Sequence, residues 1–513
     1  MCAAIAEEIL DGGAAAPDHE IAIIGTGFAG LGMAVRLKQQ GRDDFVIFER
    51  EPEIGGTWYL NHYPGCACDV PSHLYSFSFE PNPDWTRLFA PQPEIRAYLE
   101  RCVDKYGLRD HIRLDSEVSE ARFDEDTGLW HLRAGGRSVT ARSVVAGLGP
   151  LTRPAYPDIP GIERFRGETF HSQQWDHDCD LAGKRVAVIG TGASAIQFVP
   201  QIAPDVQRLH LFQRTPPWIM PKPDHPIGRR MRKRFRRRPG RQRFLRRFIY
   251  WFLEARVLGF VVSPRLMKLM EHQARRHLRR QVPDPVLREK LTPDYTLGCK
   301  RVLISEDYYP TLSRENVDLE TEGVREITET GLVTGDGREI EVDVMIFGTG
   351  FQATEPVPRG MIFGRGGRDI VDAWADGVEA YKGTTVSGYP NFYLMTGPNT
   401  GLGHSSMVFM IESQIEYVLG ALRTLRRRDL KFLDVRPEAQ REYNEWLQAR
   451  LAGTIWNTGG CRSWYLDANG KNVTLWPGFT WQFRLMTRRF DAARYERAPL
   501  TAGRAMPVAT NAG

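Results

Sequence analysis

Two stretches of the chain share one pattern of hydrophobic and polar positions. Each begins with four apolar residues, at 21–24 and at 186–189, and continues through a short glycine-rich turn into a run with helical spacing. A short apolar run before a glycine turn is typical of a buried parallel strand. The pattern therefore predicts a strand, a tight turn and a helix at both places, and with them an α/β fold built on parallel sheets.

Both glycine turns have the spacing of the dinucleotide-binding fingerprint, one as GTGFAG and the other as GTGASA. The first glycine permits the tight turn, the second lets the backbone approach a pyrophosphate, and the third position needs a small residue. The N-terminus of the following helix then stabilises the phosphates. We expect two nucleotide sites. Their residues are Gly25, Gly27, Phe28 and Gly30 in the first turn and Gly190, Gly192, Ala193, Ser194 and Ala195 in the second.

The residue at the end of the next strand predicts which nucleotide each site binds. Glu49 follows Gly25 by 24 residues, and Arg214 follows Gly190 by the same 24 residues. A carboxylate accepts hydrogen bonds from a ribose diol and repels a 2′-phosphate, whereas an arginine attracts one. The first site is therefore expected to hold an unphosphorylated adenosine and the second to prefer NADPH. A pair with FAD first and NADPH second fits a flavoprotein in which the nicotinamide reduces the flavin.

Two further apolar runs, 143–149 and 343–351, predict strands that return to the first sheet. The expected architecture is thus two nested Rossmann-like dinucleotide-binding domains, in which the NADPH domain interrupts the FAD domain. The predicted bounds are 20–155 and 340–492 for the FAD domain, 156–339 for the NADPH domain, and 1–19 and 493–513 for two flexible tails.

The segment 216–298 breaks the alternation of strands and helices and predicts a helical insertion in the NADPH domain. Between Arg229 and Arg247 it carries twelve basic residues and no acidic one; since the whole chain has a net charge of +5, the rest carries −7. We favour a solvated helix whose arginine stems cover apolar surface. A weak peripheral contact of 229–253 with anionic lipid is the alternative. Nucleic-acid binding is not expected, because no recognised module surrounds the block.

Composition excludes several other classes of protein. The seven cysteines are scattered and form no CxxC pair, so we expect reduced thiols, with neither a zinc site nor a disulfide framework. The sequence contains no run of about 18 apolar residues, so we expect no transmembrane helix. The first 18 residues lack the basic start of a signal peptide. These features favour a cytoplasmic protein without a metal site.

One long motif carries a resemblance to a known family. The segment 165–176, FRGETFHSQQWD, matches FxGxxxHxxxW(P/D) at every fixed position, and this pattern identifies the Baeyer–Villiger monooxygenases. Related flavin-containing monooxygenases, which oxidise nitrogen and sulfur, usually carry Tyr or Phe where Trp175 stands. The resemblance extends from about Glu20 to Asp491. It implies an enzyme that uses FAD, NADPH and O2 to insert one oxygen atom next to a ketone carbonyl through a flavin peroxide, giving an ester or lactone.

The resemblance also implies roles for single residues. Arg301 would enter the active site, where a guanidinium favours the anionic peroxide and the negatively charged adduct. Asp69 would orient Arg301 by a charge-assisted hydrogen bond. Trp464 would lie on a mobile loop that closes over NADP, and the segment 397–404 would approach the flavin. The remaining cofactor contacts would be Thr57, Trp58, Asp69, Val70, Tyr75 and Val118 on the flavin side and Arg214, Thr215 and Lys300 on the NADPH side.

Two other functions stay open at this point. A heteroatom monooxygenase would oxidise an amine or a sulfide, and a regulatory or peripheral-membrane protein would keep both nucleotide folds without turnover. The substrate and its regiochemistry are not set by these patterns. Since no heptad seam occurs, we expect a monomer or a weak dimer.

Overall fold

The computed structural model describes residues 16–500, with the exception of Arg462. In chain order its strands are β1 (His19–Ile24), β2 (Phe45–Phe48), β3 (Ile112–Arg113), β4 (Val118–Asp124), β5 (Leu129–Ala134), β6 (Arg137–Ala146), β7 (Glu168–His171), β8 (Arg185–Ile189), β9 (Arg208–Phe212), β10 (Ile219–Met220), β11 (Leu303–Ile304), β12 (Val317–Glu320), β13 (Val324–Ile327), β14 (Gly331–Thr334), β15 (Glu339–Glu341), β16 (Val344–Phe347), β17 (Ile362–Phe363), β18 (Phe392–Leu394), β19 (Leu430–Val435) and β20 (Tyr495–Pro499). Its α-helices are α1 (Phe28–Gln39), α2 (Thr57–Leu60), α3 (Gln92–Lys105), α4 (Ala195–Ile202), α5 (Arg229–Arg237), α6 (Pro239–Glu254), α7 (Met267–Gln281), α8 (Pro285–Lys290), α9 (Tyr308–Leu312), α10 (Ile370–Ala373), α11 (Met407–Arg427), α12 (Pro437–Leu451), α13 (Ile455–Thr458) and α14 (Thr480–Thr487).

The first sheet has the strand order β17-β4-β5-β6-β1-β2-β3, and β18 also pairs with β6. Strand β1 lies parallel to β2 on one side and to β6 on the other. All four apolar residues at 21–24 are buried, as a strand that is covered on both faces requires. The strand predicted at 143–149 is confirmed by the end of β6, where Ser143 pairs with Ile21.

The second sheet is parallel throughout, with the order β12-β9-β8-β16-β7. The predicted return of 343–351 to the first sheet is wrong, because β16 lies here, with Phe347 paired to Ile189 and to His171. The chain rejoins the first sheet only at β17 and β18. The division placed at 340 is therefore too early. An apolar strand followed by a glycine turn fits the carboxyl end of either sheet, so the pattern alone does not choose between them.

The segment predicted as a helical insertion folds into α5, α6, α7 and α8, with a π-helix over Leu258–Val262 between α6 and α7. In the chain these helices lie between β10 and β11, which form a short parallel pair. Within the described residues, no helix is both long and apolar enough to cross a membrane.

The last described strand corrects the predicted tail at 493–513. Strand β20 pairs antiparallel with β19, and Tyr495 is buried, with its hydroxyl group bonded to those of Thr385 and Tyr417. A buried aromatic residue fixes this part of the chain, which composition alone had marked as a tail. The predicted tail at 1–19 ends earlier too, because His19 begins β1. Residues 1–15 and 501–513 lie outside the described part of the chain.

Candidate active site

The first glycine turn joins β1 to α1 and has no room for a side chain at Gly25 or at Gly30. Gly25 has φ +95°, and a Cβ atom there would lie 2.7 Å from the carbonyl oxygen of Gly147, at the end of β6. A Cβ atom on Gly30 would clash with the carbonyl oxygen of Gly25. Gly27 precedes α1 without any side-chain cap, and the first turn of the helix contains no acidic residue. Its backbone N–H groups are thus free for an anionic ligand.

Glu49 is held at the end of β2 by the same turn. One of its carboxylate oxygens, Oε2, accepts hydrogen bonds from the backbone N–H of Thr26 at 2.8 Å and from the Thr26 hydroxyl at 2.5 Å. The other, Oε1, accepts from the N–H of Glu51 at 3.1 Å. The carboxylate is therefore fixed beside the glycine turn, where a ribose diol would meet it. The middle residue of GTG, Thr26, was missed in the sequence, although a hydroxyl group inside a fingerprint is a visible signal.

The second glycine turn repeats this arrangement in the other sheet. Gly190 has φ +110°, and a Cβ atom there would clash with the carbonyl oxygen of Gly348, at the end of β16. Gly192 and Ala193 are exposed, while Ala195 is fully buried where α4 packs on the sheet. Ser194 precedes α4 and makes no side-chain cap. In the first turn of α4 the N–H groups of Ile196 and Gln197 donate to the carbonyl oxygens of Gly192 and Ser194, so these two groups are not free for an anion.

Two cations without a described ion-pair partner lie next to the second turn. Arg214 follows β9 and is exposed, and Lys300 is half-buried. Burial lowers the pKa of Lys300, and the charge of Arg214 lowers it further, which places the two cations close together. Thr215 is tied to the turn through its carbonyl oxygen, which accepts a hydrogen bond from the Thr191 hydroxyl at 3.5 Å. The pair suits an anion such as the 2′-phosphate of NADPH.

Arg301 and Asp69 form an ion pair across 232 residues of chain. Arg301 donates from Nε at 3.0 Å and from Nη2 at 2.5 Å, both to Oδ2 of Asp69. The carboxylate raises the pKa of Arg301, so the guanidinium stays charged at any working pH. The side chain of Arg301 nevertheless keeps 38% of its surface accessible. Asp69 therefore holds the guanidinium, while part of the Arg301 side chain stays accessible.

Tyr465 lies beside this pair and was missed in the sequence. It is buried, and burial raises its pKa to about 12, with Arg301 and Asp69 as the nearby charges. Its neighbour Trp464 stays 42% exposed, with ring centres 4.6 Å apart. A tyrosine next to the expected loop tryptophan was a signal in the printed sequence, but nothing local assigned it to Arg301.

A disulfide bond joins Cys299 to Cys461 and corrects the expectation of reduced thiols. It links the segment that carries Lys300 and Arg301 to the segment that carries Trp464. The two cysteines are 162 residues apart, and pairing over such a distance is not deducible from spacing.

The long motif at 165–176 folds at the edge of the second sheet. His171 ends β7, is fully buried, and accepts a hydrogen bond at Nδ1 from the N–H of Gln173 at 3.1 Å. Burial lowers its pKa to about 4, so it is neutral near pH 7. Trp175 packs edge-on against Phe170 and also contacts Phe198 of α4. The motif therefore packs against α4, the helix that follows the second glycine turn.

Comparisons with known proteins agree with this geometry. The model of the flavin-binding monooxygenase-like family matches residues 18–360. The chain is 59% identical over 484 residues to a Baeyer–Villiger monooxygenase of Pseudomonas aeruginosa (94% of this chain, 92% of that protein), and 50% identical over 477 residues to one of Streptomyces coelicolor (93% and 92%). The crystal structure of OTEMO with FAD and NADP superimposes with a TM-score of 0.84 at 28% identity, covering 94% of this chain and 100% of that one.

The chain belongs to the Baeyer–Villiger monooxygenases. The predicted family, the α/β fold with two Rossmann-like cores and the class of flavoprotein monooxygenase are thereby confirmed. The predicted cofactors agree with the FAD and NADP of the matched structure. The cradles of this Baeyer–Villiger monooxygenase also fit those cofactors, because the first glycine of each turn has no room for a side chain and Glu49 and Arg214 stand at equivalent strand ends.

The flavin-side residues that the resemblance implied come together in space. Trp58 donates a hydrogen bond from Nε1 to the Tyr75 hydroxyl at 3.1 Å, and the rings of Phe28 and Tyr75 lie 5.1 Å apart. Thr57 begins α2 directly after Gly56, whose Cβ position would lie 2.8 Å from Cα of Gly27. The enzyme thus places these residues next to the first glycine turn.

Two implied contacts lie further out in this Baeyer–Villiger monooxygenase. Val70 is partly buried and packs with Leu74 against α6. Val118 begins β4 and is buried in the core that also contains Phe48 of β2, close to the strand end that carries Glu49. Their roles in binding flavin stay predictions.

The segment 397–404 is held by buried polar groups. Asn399 has φ +55° and donates from Nδ2 to the carbonyl oxygens of Asn472 at 2.8 Å and Leu475 at 3.2 Å. His404 lies 3.2 Å through Nε2 from the buried carboxylate of Glu254, at the end of α6. Glu254 was missed, because nothing near it in the sequence links it to His404, 150 residues further along the chain.

Proposed function

We propose that Arg301 is the catalytic residue of the Baeyer–Villiger oxidation of a ketone, which this enzyme performs with NADPH and O2. When bound, FAD reduced by NADPH supplies activated dioxygen. The ion pair of Arg301 with Asp69 carries the proposal, because it holds a permanent cation on a side chain that stays partly accessible. Negative charge develops on the carbonyl oxygen of a ketone under attack, and a fixed guanidinium stabilises that charge without reorganisation.

Asp69 acts through Arg301 as a positioning residue. Both hydrogen bonds from the guanidinium converge on one carboxylate oxygen, which limits how the side chain can rotate. Tyr465, itself buried, lies near the pair, as the influence of both charges on its pKa shows. We infer that Arg214 and Lys300 bind the 2′-phosphate of NADPH, and that Glu49 binds the ribose of FAD.

Replacement of Arg301 tests the proposal. In Arg301→Ala, reduction of bound FAD by NADPH should stay within a few-fold of the wild-type rate, since the fold and both cradles are unchanged. Ester formation from a cyclic ketone should fall by about 100-fold or more. Stopped-flow absorbance measures the first step, and product analysis by gas chromatography measures the second.

The matched control is Lys300→Ala, which removes the neighbouring cation. It should raise the KM for NADPH while the ester formed per NADPH consumed stays at the wild-type value. Equal losses of reduction and ester formation in Arg301→Ala would contradict the proposal and assign Arg301 a structural role. Conversion of thioethers together with failure on every ketone would favour the heteroatom monooxygenase.

We also propose a small-molecule ketone as the partner, a monomer or weak dimer as the assembly and the cytoplasm as the location. The bond between Cys299 and Cys461 removes the reduced-thiol argument for that location, since disulfides are rare in the cytosol. Size-exclusion chromatography at several protein concentrations tests the assembly.

A further inference from the structure

Helix α6 is apolar on two opposite faces. Its inner face carries Ile249 and Leu253, which are buried against Leu74. Its outer face carries four aromatic side chains, and they keep between 54% and 74% of their surface accessible. At 100° per residue these four lie within an arc of about 100° on the side away from the core. They are Phe244, Phe248, Trp251 and Phe252.

Four large exposed aromatic residues on one helix face have no role in the fold as described. Single exposed apolar residues are ordinary, but a contiguous apolar face marks a surface that meets another phase or molecule. Beyond α6, Leu258, Val262, Leu266 and Leu269 are also exposed, although they belong to three different elements. The insertion therefore exposes further apolar side chains besides the aromatic arc of α6.

Many cations precede and flank this aromatic arc in the chain, and most of them have no ion-pair partner among the described residues. Of the twelve basic residues between Arg229 and Arg247, nine are exposed and form no ion pair with any residue that the structure describes. Arg236 pairs with Asp84, and Arg246 is turned inward to the carbonyl oxygens of His73 and Ser76. Arg243 and Arg247 flank the aromatic arc on one side. Arginine beside exposed aromatic rings is the composition of a helix that lies in a membrane interface.

We propose that the outer face of α6 docks this enzyme on an anionic lipid surface. The aromatic rings would enter the boundary between headgroups and acyl chains, while the arginines would bind phosphate groups of the lipid. Docking leaves the inner face of α6 in contact with Leu74 and Val70, in the loop that follows Asp69. The membrane side of the enzyme is then one helix away from the candidate active site.

Charge argues against the two other occupants of such a face. A symmetric dimer would bring the same patch of both copies together, and two patches of nine unpaired cations repel each other. Single-stranded nucleic acid stacks its bases along a cationic groove, whereas α6 is a convex helix with its rings outward. A lipid surface is the only one of the three that satisfies the rings and the arginines together.

Sedimentation of the holoenzyme with vesicles tests the proposal. The enzyme should bind vesicles of phosphatidylcholine with roughly one quarter phosphatidylglycerol about tenfold more tightly than vesicles of phosphatidylcholine alone. Phe248→Ser combined with Trp251→Ser should weaken binding to the anionic vesicles by about tenfold. Because both side chains are exposed, FAD content and ketone turnover without vesicles should match the wild type.

Two control variants separate docking from a general effect. Trp446→Ser removes an aromatic residue that is 42% exposed on α12, and it should bind vesicles as the wild type does. Exchange of Arg426, Arg427 and Arg428 for Gln removes an exposed basic run on α11 and should also leave binding unchanged.

Four outcomes would overturn the proposal. The first two would be that the wild type fails to bind anionic vesicles, or that Phe248→Ser with Trp251→Ser leaves binding unchanged. The third would be a wild-type dimer that those two substitutions dissociate, which would assign the face to a second copy. The fourth would be tighter binding of the wild type to single-stranded DNA than to vesicles at the same salt concentration.

Discussion

The residues that select the two nucleotides lie at equivalent places in the two sheets. Glu49 and Arg214 both follow the second strand after a glycine turn, one fixed by Thr26 and the other free beside Lys300. A carboxylate with satisfied hydrogen bonds suits a neutral diol, and an unpaired arginine suits a phosphate. We therefore expect single side chains on a repeated scaffold to decide which cofactor each site accepts.

Arg214→Ala should shift the enzyme away from NADPH. We expect the KM for NADPH to rise by about tenfold or more, because a charge-assisted hydrogen bond to the 2′-phosphate is lost. The KM for NADH, which lacks that phosphate, should stay unchanged. Steady-state kinetics with both cofactors measures the ratio.

The control is Arg208→Ala on the same strand, since Arg208 is already paired with Asp318. Its selectivity should equal that of the wild type. If Arg214→Ala raised both KM values equally, the residue would support the fold of the site and would not bind the phosphate.

At the scale of elements, each fingerprint turn depends on a second glycine from a neighbouring strand. The carbonyl oxygen of Gly147, at the end of β6, lies close to Gly25, and that of Gly348, at the end of β16, lies close to Gly190. The same strand-end pattern thus serves both sheets. This repetition explains why the sequence pattern places the run at 343–351 in the wrong sheet. The hydrophobic pattern predicts that a strand is buried on both faces, but it does not predict which strand lies beside it.

Strand β19 contains a carboxyl group that titrates near neutrality. Burial raises the pKa of Asp434 to about 7, although the N–H of Gly388 donates to it at 2.9 Å and Arg365 lies 3.6 Å away. The folded state therefore keeps a proton that the unfolded chain loses near pH 4. Stability should fall as the pH rises from about 4 to about 7, by up to about 4 kcal/mol from this group.

Asp434→Asn should remove that part of the pH dependence. An amide stays neutral and can still accept from Gly388, so the variant should become more stable than the wild type as the pH approaches 7. The measurement is the urea midpoint at a series of pH values. Asp372→Asn, at an exposed ion pair with Arg359, should keep the wild-type slope. Parallel curves for Asp434→Asn and wild type would contradict the assignment.

At the scale of the whole molecule, the candidate active site is assembled from distant segments. Asp69 comes from the loop after α2, Arg301 from the end of the insertion, and Tyr465 from the chain beyond α13. The bond between Cys299 and Cys461 ties the last two segments together. A covalent link next to Arg301 limits how far these segments can separate.

Cys461→Ser should destabilise the enzyme by about 2–5 kcal/mol, because the bond closes a loop of 162 residues and restricts the unfolded chain. Dithiothreitol should lower the thermal midpoint of the wild type and leave that of the variant unchanged. Differential scanning fluorimetry measures both. Cys179→Ser, which removes a free cysteine, should respond to the reductant as the wild type does; insensitivity of the wild type would show that the bond is absent in solution.

Local patterns determined the two strand–turn–helix units, the residues that distinguish their nucleotides and the helical insertion, because each depends on neighbours within about 30 residues of chain. The resemblance carried by 165–176 added the family and the pairing of Arg301 with Asp69. Only the tertiary structure decided the sheet to which β16 belongs, the disulfide, the place of Tyr465 and the outward face of α6. These features depend on contacts between residues that are far apart in the chain. The sequence around either residue alone carries no periodic pattern that would predict such a contact.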